Sequence, residues 1–292
     1  TDADVAFISR EVTGASTKHE IHPALQQVYD LLSQSAGLQW VHIHSAGADR
    51  QIYLDLRARG VQIATSSGAN AQVVATTALA GLLALARRFP MLWAEQQAQQ
   101  WRPMLGERTP RDLPGQTATI VGWGPIGQQL ASLLQALGLK VVAVRQQAGP
   151  QTLLRADAVE QVTFEGFHQV LPRTDWLILA CPLTDKTRQL VNTPALAALP
   201  RGAHVINVAR GEVVDQSALV AALQSGHLGG AFLDVFQHEP LQQGSPLWAM
   251  PQVMVTPHAA GHSDGNQKRV SQMFLDNLRR FASGQALHHV VR

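Results

Sequence analysis

The sequence predicts an α/β fold of two domains, one of them built on a doubly wound parallel sheet. Three features carry that expectation. The chain has 292 residues, enough for about two ordinary domains. From residue 117 onward, short and nearly unbroken apolar runs alternate with helical patterns, as strands buried on both faces of a parallel sheet do. The first of those runs also passes straight into a glycine turn that opens a helix.

In chain order, DVAFIS reads as a strand, and HPALQQVYDLLSQSA as a helix with Leu25, Val28, Leu31 and Leu32 at helical spacing. LQWVHIHS is a strand running into a small-residue turn, SAGAD. IYLDLRARG is a helix and VQIATS a short strand. One long helix is expected from about Ala69 to Gln100, before Pro103, Pro110 and Pro114 break the pattern. TATIVGWGPIG is a buried strand with its glycine turn, and PIGQQLASLLQALG is a helix closed at Gly138. LKVVAVRQ, WLILACP, AHVINVAR, GGAFLDVF and VMVTPH each hold a further strand and its exit. The last segment, NQKRVSQMFLDNLRRFASGQ, is an amphipathic helix with Val270, Phe274, Leu278 and Phe281 expected on one face.

Composition removes several function classes. Charged residues make up 15%, below the usual ~25%. The formal charge is +2 and the basic residues are scattered, so no nucleic-acid footprint is present. One cysteine, Cys181, cannot form an internal disulfide and fits a reducing, cytoplasmic setting. The longest apolar stretch, from Ala69, carries Asn70, Gln72, Thr76 and Thr77. It therefore reads as a buried helix and not as a membrane span.

VGWGPIG sets Gly122, Gly124 and Gly127 in a G-x-G-x-x-G pattern between strand and helix, the context a Rossmann-type dinucleotide fold requires. The first glycine makes the turn. The second lets a pyrophosphate approach the backbone. The third lets helix and strand pack closely, and the helix start at Pro125 and Ile126 offers free N–H groups to the phosphates. At the end of the next strand, where an acidic residue would hold an unphosphorylated ribose, stands Arg145 with no acid nearby. A guanidinium pairs with a 2′-phosphate, so NADP is expected over NAD, with NAD still possible.

Three more segments leave strand ends: INVARGEVVD, LDVFQHEPL and VTPHAAG. Ligands of open parallel sheets bind beyond the carboxyl ends of the strands, so Arg210, Glu239 and His258 are expected to meet at one crevice. Together they suit hydride transfer to a 2-keto acid. Beside a carboxylate an imidazole holds its proton more firmly and can donate it near neutrality, and a guanidinium polarises a carbonyl. Pro257 fixes the chain ahead of His258, and Ala259, Ala260 and Gly261 leave room beside it.

These segments, with SAGAD, GANAQVVA and LACPLTDKT, give the chain a resemblance to the D-isomer-specific 2-hydroxyacid dehydrogenases, nearest in character to glyoxylate/hydroxypyruvate reductases. The resemblance implies a discontinuous flavodoxin-like substrate domain, residues 1–67 and 265–292, and a dinucleotide-binding domain, residues 68–264. It implies that Arg210 binds substrate, His258 is the acid/base and Glu239 its partner. Asp234 would hold the nicotinamide carboxamide, and the backbone at Ala46 and Gly47 would receive the substrate carboxylate. Asn70 would contact substrate or start a helix, and Cys181 and Pro182 would line the adenine side. It also implies a homodimer, with the long helix of the coenzyme domain burying its apolar face against a second subunit. Trp101 and Trp248 could face the site or fill gaps between domains, and the second is expected.

Two departures accompany the resemblance. Many relatives have Glu-His where this chain has Thr76-Thr77, and the segment before DVAFIS is short beside them, either because this branch lacks a strand-helix unit or because the chain given starts late. Two rivals remain: a formate dehydrogenase, which needs no proton donor, and a dinucleotide-sensing corepressor-like protein that acts by binding.

Overall fold

The structure, a computed structural model, describes residues 3–147, 152–154 and 157–291. The chain divides into two compact units, one made of residues up to Ala71 together with those from His262 on, the other of Gln72–Gly261.

The first unit is built on a three-stranded parallel sheet, β1 (Val5–Ile8), β2 (Trp40–Ile43) and β3 (Gln62–Thr65), in that spatial order. Between the strands run α1 (Arg10–Thr13), α2 (Pro23–Gln34) and α3 (Gln51–Ala58). Their apolar faces close a core around Leu25, Tyr29, Leu56 and Ile63. The C-terminal helix, Asn266–Ala282, stacks Phe274 on Phe7 and on Trp40, and brings Phe281 beside Trp40. Its buried face departs from the expected one. Leu278 is exposed, and Asn277 is buried in its stead, where its side chain bonds the backbone of His288 in both directions. A buried amide is tolerated because both of its ends are satisfied.

The second unit opens within α4 (Ala71–Ala86), from Gln72 on, and continues with α5 (Phe89–Gln97). A single helix was expected here, but the axis turns by 67° between them. The cause is local. Pro90 has no N–H for the carbonyl four residues back, and its ring crowds that carbonyl. Arg88 absorbs the turn in the left-handed region, at φ 56°. No single helix among the described residues is long and apolar enough to cross a membrane.

After this pair come β4 (Thr117–Val121), α6 (Pro125–Ala136), β5 (Lys140–Arg145), β6 (Thr152–Leu154) and β7 (Asp157–Thr163). They are followed by α7 (Phe167–Val170), β8 (Trp176–Leu179), α8 (Thr193–Ala198), β9 (His204–Asn207), α9 (Gln216–Gln224), β10 (Gly230–Leu233) and β11 (Val253–Val255). The strands form one sheet ordered β11-β10-β9-β8-β4-β5-β7-β6, parallel except at the β6–β7 pair. The hairpin of β6 and β7 has no counterpart in the strand pattern expected from sequence.

Neighbouring residues within a strand serve different cores. Leu177 and Leu179 of β8 pack with α8 and α9, whereas Trp176 and Ile178 pack with α4 and α6. Both faces of the sheet are thus covered, which is why the strands read as continuous apolar runs. The chain leaves β4 for one side of the sheet and later returns at β8 to build the other. The strand order therefore reverses between β4 and β8, at the place where doubly wound sheets bind ligands.

Candidate active site

The glycine turn lies at that reversal, and its three glycines have three separate reasons. Gly122 sits at φ 108°, and a Cβ there would meet the Ala180 carbonyl oxygen at 2.6 Å. A Cβ on Gly127 would lie 2.1 Å from the Gly122 oxygen, so this glycine lets α6 dock on β4. A Cβ on Gly124 would meet nothing within 4 Å. Gly124 faces open space instead, where a side chain would fill the approach to the backbone. No side chain caps α6, and Pro125 stands at its first position. The amides that follow, beginning with Ile126, are left to bind an anion. The turn therefore fits a dinucleotide pyrophosphate.

Arg145 ends β5, half-buried, and its Nη1 donates to Gln161 Oε1 at 3.1 Å. Gln161 lies on β7, the strand not foreseen, so the arginine is steadied from a neighbour invisible in the local sequence. Cys181 follows β8 and is buried. Burial pushes its thiol up to about 12, against smaller opposing effects of its own backbone and of Arg210. It is an inert packing residue. Pro182 is exposed, and its carbonyl accepts the Thr187 hydroxyl at 2.7 Å, which closes the turn after β8.

Glu239 and His258 meet. Glu239 Oε2 lies 2.8 Å from His258 Nδ1, and Oε1 accepts the Phe236 N–H at 3.1 Å. Burial raises the Glu239 carboxyl. The hydrogen bond and charge of His258, the Phe236 amide and the Arg210 charge together outweigh burial and hold it below the usual carboxylate range. The imidazole is half exposed, with 50% of its side-chain surface open, against 14% for Glu239. Nδ1 is engaged, and Nε2 has no hydrogen-bond partner among the described residues. Arg210, after β9, donates from Nη1 to the Ala209 carbonyl, while Asn207 Nδ2 donates to the Arg210 carbonyl.

The loop carrying His258 is tied down on every side. His258 itself is at φ 51°, a left-handed conformation that a side chain rarely adopts without support. Its N–H donates to the Asp234 carbonyl at 2.9 Å. The buried Asp234 carboxylate accepts the Thr256 hydroxyl at 2.6 Å, the Ala259 N–H at 2.8 Å and the Ala260 N–H at 3.0 Å. The Thr77 hydroxyl reaches the Ala260 carbonyl at 3.0 Å. Thr77, which the sequence presented as a departure, is thus a support for the loop.

Gly211 is a positioning residue that sequence reasoning missed. A Cβ there would lie 1.8 Å from the Phe236 carbonyl carbon, so only glycine lets the Arg210 segment pass the Glu239 segment. The Arg-Gly step at a strand exit was the available signal. In the other unit, Ala46 and Gly47 follow β2 in a turn where Ser45 Oγ donates to the Gly47 carbonyl, and Asn70 immediately precedes α4. Trp101 is 95% exposed, and Trp248 is also exposed, donating Nε1 to the Gln242 carbonyl.

A Rossmann sheet with a phosphate-binding turn and an Arg-Glu-His set at its carboxyl edge defines a nicotinamide-dependent oxidoreductase. The family profile described as D-isomer specific 2-hydroxyacid dehydrogenase, NAD binding domain, matches residues 79–260. The chain belongs to this family. It is 33% identical over 258 residues, 86% of this chain and 80% of the other, to an (S)-sulfolactate dehydrogenase of Chromohalobacter salexigens. To a glyoxylate reductase of Korarchaeum cryptofilum it is 31% identical over 257 residues, covering 85% and 74% of the two chains. Among solved structures, an NADPH-dependent glyoxylate/hydroxypyruvate reductase of Sinorhizobium meliloti in complex with NADP and sulfate is similar, with TM-score 0.79 and 29% identity over 99% and 86% of the two chains. A family member from Xanthobacter autotrophicus in complex with NADPH and MES gives TM-score 0.76 and 33% identity over 89% and 80%. The chain is an NAD(P)-dependent 2-hydroxyacid dehydrogenase or reductase.

Proposed function

We propose that the protein is an NADPH-preferring reductase of a small 2-keto acid of the glyoxylate or hydroxypyruvate kind, forming the D-2-hydroxy acid. The observation that carries this reading is the Glu239–His258 pair, 2.8 Å apart, with the second imidazole nitrogen free. Gly122, Gly124, Gly127 and the start of α6 hold the pyrophosphate. Arg145 would read the 2′-phosphate, Cys181 and Pro182 would lie on the adenine side, and Asp234 would hold the carboxamide. When bound, the nicotinamide supplies the hydride. Arg210 holds and polarises the keto acid, His258 Nε2 delivers a proton to the carbonyl oxygen, and Glu239 keeps the imidazole oriented through its contact with Nδ1. A formate dehydrogenase needs no proton donor, so the Arg210, Glu239 and His258 set argues against that activity; turnover separates an enzyme from a sensor.

A homodimer in the cytoplasm is part of the reading. Val74, Ala78 and Leu82 of α4 pack into the chain's own core, and Leu79, Leu83 and Ala86 are only partly buried. Phe89, Trp93, Trp101 and Leu105 remain exposed along α5 and the segment after it, and they are the surface proposed for the second subunit.

The test is oxidation of NADPH, with NADH in parallel, across glyoxylate, hydroxypyruvate, pyruvate and a bulkier 2-keto acid. Turnover that is faster with NADPH supports the reading. Tight cofactor binding with no turnover on any of them would mean an untested substrate or a sensor.

A further inference from the structure

The second unit contains a cavity of about 450 Å³ at the amino ends of its strands, opposite the edge that carries the glycine turn, Arg210 and His258. Asp175 precedes β8, His204 opens β9 and Gly229 precedes β10, and all three line it. Four-residue strands separate the two edges by about 13 Å. A molecule in this cavity therefore touches none of the reacting groups.

Three guanidiniums border the space, those of Arg88, Arg111 and Arg201. Asp175 is the sole carboxylate among the lining residues, and it is already engaged. Its Oδ1 pairs with Arg111 at 2.8 Å and its Oδ2 accepts the Thr117 N–H at 2.9 Å. Among the described residues, no ion pair or hydrogen bond takes up the guanidinium of Arg88 or of Arg201. Three cations less one anion leave two positive charges. His204, stacked on Trp176 with ring centroids 4.3 Å apart, adds none. Burial first, and then the charge of Arg88, hold its imidazole down at about 4, so it is neutral near pH 7. Much of the remaining wall is apolar, including Leu85, Met91 and Pro251.

We propose that this cavity binds a small organic phosphate, its dianionic head on the arginines and its apolar body along the wall. A phosphate monoester carries close to two negative charges at neutral pH, which matches the two uncompensated cations, and guanidinium forks fit its oxygens. The volume suits a small ligand. The site is separate from the place of reaction. Its position at the bend between α4 and α5 lets an occupant bridge Arg88, in its left-handed turn, to the loops that open the sheet.

The experiment is calorimetric titration of the full chain with phenyl phosphate, with the protein saturated by whichever of NADPH or NADH it binds, so that the coenzyme's phosphate sites are filled. Inorganic phosphate runs alongside. Arg201→Glu alone and the Arg88→Glu/Arg201→Glu pair are compared with the wild type, and circular dichroism and cofactor affinity report the fold. The expected result is millimolar or tighter binding of phenyl phosphate, stronger than that of inorganic phosphate. Each folded variant should weaken it at least about tenfold while leaving cofactor affinity unchanged. Absence of binding to the wild type overturns the proposal, as does binding that both variants retain. A double variant that changes only the sedimentation state, in a protein that takes up no phenyl phosphate, overturns it too, because the arginines would then serve a subunit contact.

Discussion

His258 combines a left-handed backbone with a half-exposed ring, and neither is stable without neighbours. Asp234, Thr256 and Thr77 fix the loop and Glu239 fixes the ring, and Nε2 keeps no hydrogen-bond partner among the described residues. His258→Ala should cut turnover by about 10²–10⁴ while cofactor affinity stays nearly intact. Steady-state kinetics with a fluorescence titration of the cofactor check this, and an equally active variant removes the acid/base assignment. Arg145 is the other residue with a single decisive property. Replacing it by Asp should turn preference from NADPH toward NADH, because a carboxylate repels the 2′-phosphate and accepts ribose hydroxyls. An unchanged ratio of kcat/KM for the two cofactors would place that reading elsewhere.

At the scale of elements, the site is made by strand exits that have to pass one another closely. The exit of β9 and the exit of β10 touch at Gly211, where a methyl group would overlap the Phe236 backbone. Gly211→Ala should destabilise the protein by about 1–3 kcal/mol and lower kcat more than it raises cofactor KM, since it separates Arg210 from the Glu239 segment. Thermal unfolding and kinetics report the two effects, and a variant with wild-type values in both would show that the contact is dispensable. Elements also mark where sequence reading succeeded and failed. The central strands β4, β8, β9 and β10 were legible because burial on both faces makes them uniformly apolar. The bend at Arg88 was not, although Pro90 was in view, because the apolar pattern continues across it. The hairpin of β6 and β7 was not, because edge strands carry mixed polarity. Asn277 was not, because its burial depends on a backbone partner at His288.

The whole molecule has a consequence for acid stability. His204 in one unit and His42 and His44 in the other are each pushed down to about 4, first of all by burial. Their folded values lie below the ordinary 6.5, so between the two the unfolded chain binds more protons. The stability tied to their neutral state is complete above about pH 6.5 and is lost as pH falls toward about 4. Urea midpoints should therefore drop between about pH 7 and about pH 5. A flat profile would mean that these imidazoles are not held neutral.

Sequence alone determined the class of fold and the glycine turn, and it pointed to Arg210, Glu239 and His258 at the strand exits. Those depend on periodicity and on chemistry confined to a few adjacent positions, which the order of residues records directly. Tertiary structure decided which oxygen meets which nitrogen, why His258 can hold a left-handed turn, why Gly211 admits no side chain, and where three arginines converge at the far end of the sheet. Each of these joins residues distant in the chain, and their proximity exists only once strands β4 to β11 have taken their places.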